Sequence, residues 1–242
     1  MPGSPPEPRF AAASIADLDE PVRRYLTHAI REGAPSTAAV TLEMAGRVKV
    51  GAWLPFTARE ECDGRSFRWR ARVGWGRLAP LLVVDRYVAG AGATEGRLFE
   101  RARLFHAAGE DTTRSAAGRA ALEAIWAPAA LLPHTGVAWR AESDTHIVAA
   151  WDVPPERPEV HLRIDGEGAV HSASALRWGN AGQKAFGYIP CGCDVRAERR
   201  FGDLVVPSAV TVGWWFGTPR HAPFFTAEIR SLRRADWSGA PD

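Results

Sequence analysis

Asp85 and Tyr87 stand two residues apart in a run that otherwise reads Val83, Val84, Val88 and Ala89. Residues two apart on a strand share a face. If that face is the apolar one, an unpartnered carboxyl resists ionisation, and such a carboxyl beside a phenol suits general acid–base work. A structural hydrogen bond that satisfies the aspartate is the plainer alternative. Arg119 and Glu123 are four apart in a segment otherwise made of Ala, Leu, Ile and Trp. On an exposed helix face such a pair contributes a few tenths of a kcal/mol. On a buried face Glu123 either pairs inward with Arg119 or points into a cavity. Asp85, Tyr87 and Glu123 are therefore the candidate catalytic residues.

The ten tryptophans are the other chemical resource. On a wide concave sheet face, indoles such as Trp69, Trp126, Trp178 and Trp214 would line a pocket of roughly 300–1,000 Å³ for a flat or apolar molecule. Together with Arg119 these four are the candidate ligand-binding residues. The competing reading is that most of the rings simply fill the core.

Other chemistries lack support in the spacing. The seven histidines show no H-E-x-x-H or comparable ligand pattern, and no serine sits in G-x-S-x-G. Gly90-Ala91-Gly92 lacks the rest of a dinucleotide or phosphate loop, and no His or Cys pair accompanies Cys191-Gly192-Cys193 to complete a zinc set. No cofactor and no metal are expected. Thirty basic residues against 28 acidic ones leave a net charge of +2, too near balance to argue for nucleic acid. The row Arg68, Arg70, Arg72 is explained by cross-strand acids such as Glu60 and Glu61 on a wet face. Lysine is nearly absent, Lys49 and Lys184 being the whole set, a bias that goes with the Ala, Gly and Pro of a GC-rich genome.

These residues need elements to hold them. Val22, Tyr25, Leu26, Ala29 and Ile30 make one apolar stripe at helical spacing, which predicts a helix over 19–32 with Asp19 as cap and Gly33 as stop. From residue 40 the period changes to two. Phe67, Trp69, Ala71, Val73 and Trp75 alternate with Arg68, Arg70 and Arg72, which reads as an antiparallel strand with one wet face. Similar runs, including one over 97–106, continue to residue 232. Phe201-Gly202-Asp203 suits a tight hairpin. An Ala-rich helix over 113–126, capped by Thr112 and ended by Pro128, interrupts the strands and must cross or plug the sheet.

The fold class expected is mainly β (α+β): one strongly curved antiparallel sheet or open half-barrel, with an N-terminal and a central helix covering the concave face. The chain has 242 residues, 46% apolar and 24% charged, enough for one sizeable core. Residues 1–13 read as a flexible arm, 14–235 as a single domain and 236–242 as a tail. No stretch of 18 apolar residues or signal-peptide pattern occurs, and three cysteines are an odd number for a disulfide framework, so a cytoplasmic location is expected.

Several motifs add a resemblance. Pro21-Val22-Arg23-Arg24-Tyr25-Leu26, residues 53–60, residues 85–92, residues 118–128, Val206-Pro207-Ser208 and Trp215-Phe216-Gly217-Thr218 resemble a bacterial domain family of unknown function common in high-GC organisms, over about residues 18–234. The element order is similar to the lipoprotein-carrier half-barrel, a topology that implies an apolar ligand cavity under helices. The function expected is binding of an apolar or aromatic small molecule in a Trp-lined cavity. The alternative is a cofactor-independent cyclase or isomerase working on an apolar metabolite in the same cavity. The expected partner is an apolar small molecule, without nucleic acid and without stable membrane insertion.

Overall fold

Period-two alternation becomes thirteen strands in the computed structural model, which describes residues 8–75 and 79–237. They are β1 (Val40–Val50), β2 (Ala52–Cys62), β3 (Phe67–Val73), β4 (Leu81–Val88), β5 (Ala91–Leu98), β6 (Ala102–Ala108) and β7 (Ala138–Ser143). The series continues with β8 (His146–Ala150), β9 (Glu159–Ile164), β10 (Val170–Gly179), β11 (Gly187–Phe201), β12 (Leu204–Trp214) and β13 (Ala222–Arg234). The helices are α1 (Glu20–Ala29) and α2 (Glu110–Leu122).

All strands lie in one sheet, in the order β6-β5-β4-β3-β2-β1-β13-β12-β11-β10-β9-β8-β7. The chain enters at the middle, meanders out to β6, and crosses to the far edge through α2. It then meanders back until β13 pairs antiparallel with β1. This is the curved half-barrel expected. Because each strand pairs with its sequence neighbour except at the β1–β13 seam, short turns suffice everywhere but at the crossing, where α2 must lie over the sheet.

On β3 the faces fall as expected. Phe67, Trp69, Ala71 and Val73 are buried while Arg70 and Arg72 are exposed. Trp75, placed on the inner face by the alternation, lies beyond the strand end and is 66% exposed. The run over 97–106 is not one strand. Phe99 and Glu100 both take positive φ, and the chain folds back there as the β5–β6 hairpin. Residues 8–13, read as a loose arm, are tied down: Phe10 is buried and its N–H donates to the Ala34 carbonyl at 2.8 Å. Residues 1–7 and 238–242 of the expected arm and tail lie outside the described residues.

Both helices depart from the expected caps. Asp19 sits at the N-cap of α1, but its carboxylate accepts the Ala141 N–H at 2.8 Å, pinning the helix to β7. Helix α2 starts three residues before the expected 113, after Gly109, whose φ of 101° suits glycine. Glu110 and Asp111 in its first turn favour the helix dipole. The α-helix gives way at Glu123 to 3-10 turns over Glu123–Trp126, Pro128–Leu131 and Pro133–Thr135, paced by the two prolines. Trp126 fastens this strap by donating from Nε1 to the Pro207 carbonyl at 3.0 Å.

Candidate functional site

The pairing register sets one row of side chains across four strands: Glu60 opposite Trp69, Trp69 opposite Asp85, and Asp85 opposite Thr94. The row faces the strap, and from the strap Arg119 and Glu123 descend onto it. Nη1 of Arg119 donates to Asp85 Oδ2 at 2.6 Å and its Nε to Glu123 Oε1 at 2.6 Å. Nη2 stands 3.8 Å from Glu60 Oε1, and the guanidinium lies 4.3 Å from the Phe67 ring centroid and 5.3 Å from that of Trp69.

Three carboxyls around one guanidinium cannot all stay ionised at low cost. Glu60 is fully buried, and burial first, then the Glu123 charge, push its pKa well above the ordinary carboxylate value, outweighing the pull of Arg119. Neither Glu60 oxygen has a hydrogen-bond partner, so the neutral acid is the form its surroundings favour. Arg119 stays charged: burial works against it, but Glu123, Asp85 and Glu60 together hold its pKa above the usual arginine value. Glu123 Oε2 and Trp69 Nε1 are also buried without partners.

Beside this cluster is a cavity of about 240 Å³. Asp85, Arg119, Glu123 and Trp69 form one part of its wall; Val48, Val83, Val210, Val212, Phe224 and Phe225 make an apolar side. Ile125 and Trp126 of the strap and Arg177, Cys191 and Cys193 also face it. Arg177 is held by Ser115, from Nε to the carbonyl at 2.9 Å, with its guanidinium 5.0 Å from the Trp214 ring centroid. Burial raises both thiols, Cys193 to about 12, so neither is a nucleophile at neutral pH. Among the described residues no group of three His, Cys, Asp or Glu side chains could hold a metal ion.

The family of unknown function DUF6544 matches residues 8–227. The chain belongs to that family. No curated protein matches it. Among solved structures, the DUF6544 chain is similar to a LolA superfamily protein from Nitrosomonas europaea at 8% identity, with 90% of this chain and 93% of that chain covered and a TM-score of 0.45. An outer membrane lipoprotein-sorting protein domain from Vibrio parahaemolyticus gives 8% identity, 82% and 86% coverage and a TM-score of 0.46. A DUF1329 family protein from Desulfovibrio piger gives 9% identity, 82% and 86% coverage and a TM-score of 0.42. The resemblance to a family of unknown function expected from the sequence is borne out by that match.

Of the candidate residues in this DUF6544 chain, the structure brings Trp69, Asp85, Arg119, Glu123 and Trp126 together on the cavity. Tyr87 is not with them. Its hydroxyl donates to the Pro154 carbonyl, so the Asp85–Tyr87 acid–base pair does not form. Trp178 lies off the cavity, donating from Nε1 to Asp111 at 2.7 Å under the Arg114 guanidinium, 3.6 Å from its ring centroid. Trp214 stands behind the wall, stacked on Phe224 with centroids 5.8 Å apart. Two tryptophans thus line the cavity, and valines and phenylalanines supply most of the apolar wall.

Glu60 departs from the wet face that the sequence suggests for it: Glu61 pairs with Arg68 and Arg59 with Arg70, while Glu60 shares the inner face with Phe56, Ala58 and Cys62. That alternation was the available signal: an acid within an apolar row.

Proposed function

We propose that this protein binds a small apolar molecule with one polar end, the apolar part against Val48, Val212, Phe224 and Phe225 and the polar end at Glu123 and Trp69. The observation that carries the reading is a free acceptor, Glu123 Oε2, and a free donor, Trp69 Nε1, buried on two residues that line an otherwise apolar cavity. A buried polar group without a partner costs about 1–3 kcal/mol, and a ligand hydroxyl or amide would satisfy both. A cavity of about 240 Å³ falls below the usual range for drug-sized ligands, which favours a single chain or ring. Each buried methylene would contribute about 0.8 kcal/mol.

An enzyme working without a cofactor has one observation in its favour, the buried Glu60 carboxyl that holds its proton close to Glu123 of the cavity wall. Native mass spectrometry of protein purified without detergent separates the readings. The expected result is a non-covalent apolar adduct, released unchanged in mass on activation and missing from Val212→Trp, whose indole fills the cavity. Wild-type protein that arrives empty and takes up no added decanol would overturn the binding reading; an adduct that the protein converts on incubation would favour the enzyme.

A further inference from the structure

The antiparallel meander brings four hairpin turns to one end of the sheet. In sheet order they are the β5–β6 turn at Phe99–Arg101, the β3–β4 connection that begins at Gly74, the β1–β2 turn at Gly51 and the β12–β13 turn. The curvature of the sheet carries the β10–β11 turn away from them, to the first turn of α2, where Trp178 bonds Asp111 and Tyr188 meets Arg114. The first two touch: the Phe99 N–H donates to the Pro80 carbonyl at 2.6 Å, and Glu100 pairs with Arg72 at the end of β3.

These tips hold three of the large apolar side chains that stand exposed among the described residues, Trp75 and Phe99 at 66% each and Val50 at 56%. Among the described residues the same tips carry Arg47, Lys49, Arg101 and Arg220, all exposed. Their acid is Glu100, which Arg72 already engages. The turns at the other end of the sheet carry instead Asp63, Asp144, Asp165, Glu167 and Asp203 against one cation among the described residues, Arg65. A net charge of +2 therefore conceals a basic, aromatic end and an acidic end. The cavity's apolar side adjoins the basic end, since Val48 pairs with Phe225 two residues from Val50.

Large apolar side chains set singly on separate tips, with cations between them, do not form a groove for a protein segment. They do match a fluid interface, where aromatic rings sit at headgroup level and basic residues meet anionic lipid. We propose that this end of the half-barrel docks on an anionic phospholipid surface, turning the apolar side of the cavity toward the bilayer.

The test is co-sedimentation of the full chain with vesicles of phosphatidylcholine alone and with vesicles containing a quarter phosphatidylglycerol. Binding is expected on the anionic vesicles, weakening at ~0.5 M salt and falling roughly fivefold for each cation removed. Lys49→Glu with Arg101→Glu should erase the preference for anionic lipid. Trp75→Ser with Phe99→Ser should lower binding about tenfold with an unchanged melting curve, because both side chains are exposed. Asp165→Asn with Glu167→Gln, at the other end, should bind at least as well as wild type. No pelleting, equal pelleting on both vesicle types, or indifference to the Trp75 and Phe99 changes would overturn the proposal. A partner protein captured without any vesicle binding would count against it in the same way.

Discussion

Glu60 holds its proton because its surroundings offer burial and a neighbouring carboxylate but only a distant share of Arg119. Its pKa in the folded chain lies above the unfolded value of about 4.5, so the folded state binds the proton more tightly. The stability this contributes is full below that value and is lost as the pH rises through the folded pKa. Glu60→Gln keeps the shape of the neutral acid and cannot ionise. Melting curves should show the wild type losing stability relative to Glu60→Gln above about pH 5; parallel curves would contradict the assignment. His28, raised mainly by its bond to Glu198 and lowered in part by burial, loses its contribution in the same direction, but it is present in both proteins and cancels. At this scale Asp85, Arg119 and Glu123 are legible as neighbours of one cavity, since their types stand out in apolar surroundings. The turning away of Tyr87 is not, because whether a phenol turns to a neighbour or to a distant loop carbonyl depends on where Pro154 is brought, and no local spacing encodes that.

The crossing strap is the element that makes a cavity out of a sheet. It approaches closely because small residues line both sides: a Cβ on Gly92 would stand 2.7 Å from Thr113 Cα and 2.8 Å from the Thr112 carbonyl oxygen. Backbone at those distances yields only if α2 lifts. Gly92→Ala should therefore lower stability by about 1–3 kcal/mol, read as a shift in denaturation midpoint. Gly187→Ala, whose added methyl meets nothing within 4 Å, should leave it unchanged. A Gly92→Ala protein as stable as wild type would mean that the strap is not seated as described. The strap was legible as an Ala-rich helix stopped by Pro128, and the alternation of β3 gave its faces correctly. Its start was not, since Glu110 and Asp111 at the helix N-terminus outweighed the cap expected from Thr112. The β5–β6 turn was also missed, because Phe99 and Glu100 adopt positive φ without a glycine to signal it.

For the whole molecule, a single curved sheet under helices followed from strand number, the absence of a linker and the lone central helix. The β1–β13 seam did not, because it joins residues nearly two hundred positions apart and rests on tertiary pairing. Nor did the charged and aromatic polarity of the two ends, which composition averages away. The central claim is that the space under the strap is a ligand site, and calorimetric titration with decanol tests it most directly. The account predicts one site per chain in the wild type, and none in Val212→Trp at an unchanged melting temperature. Equal binding by both proteins, or none by the wild type, would contradict it.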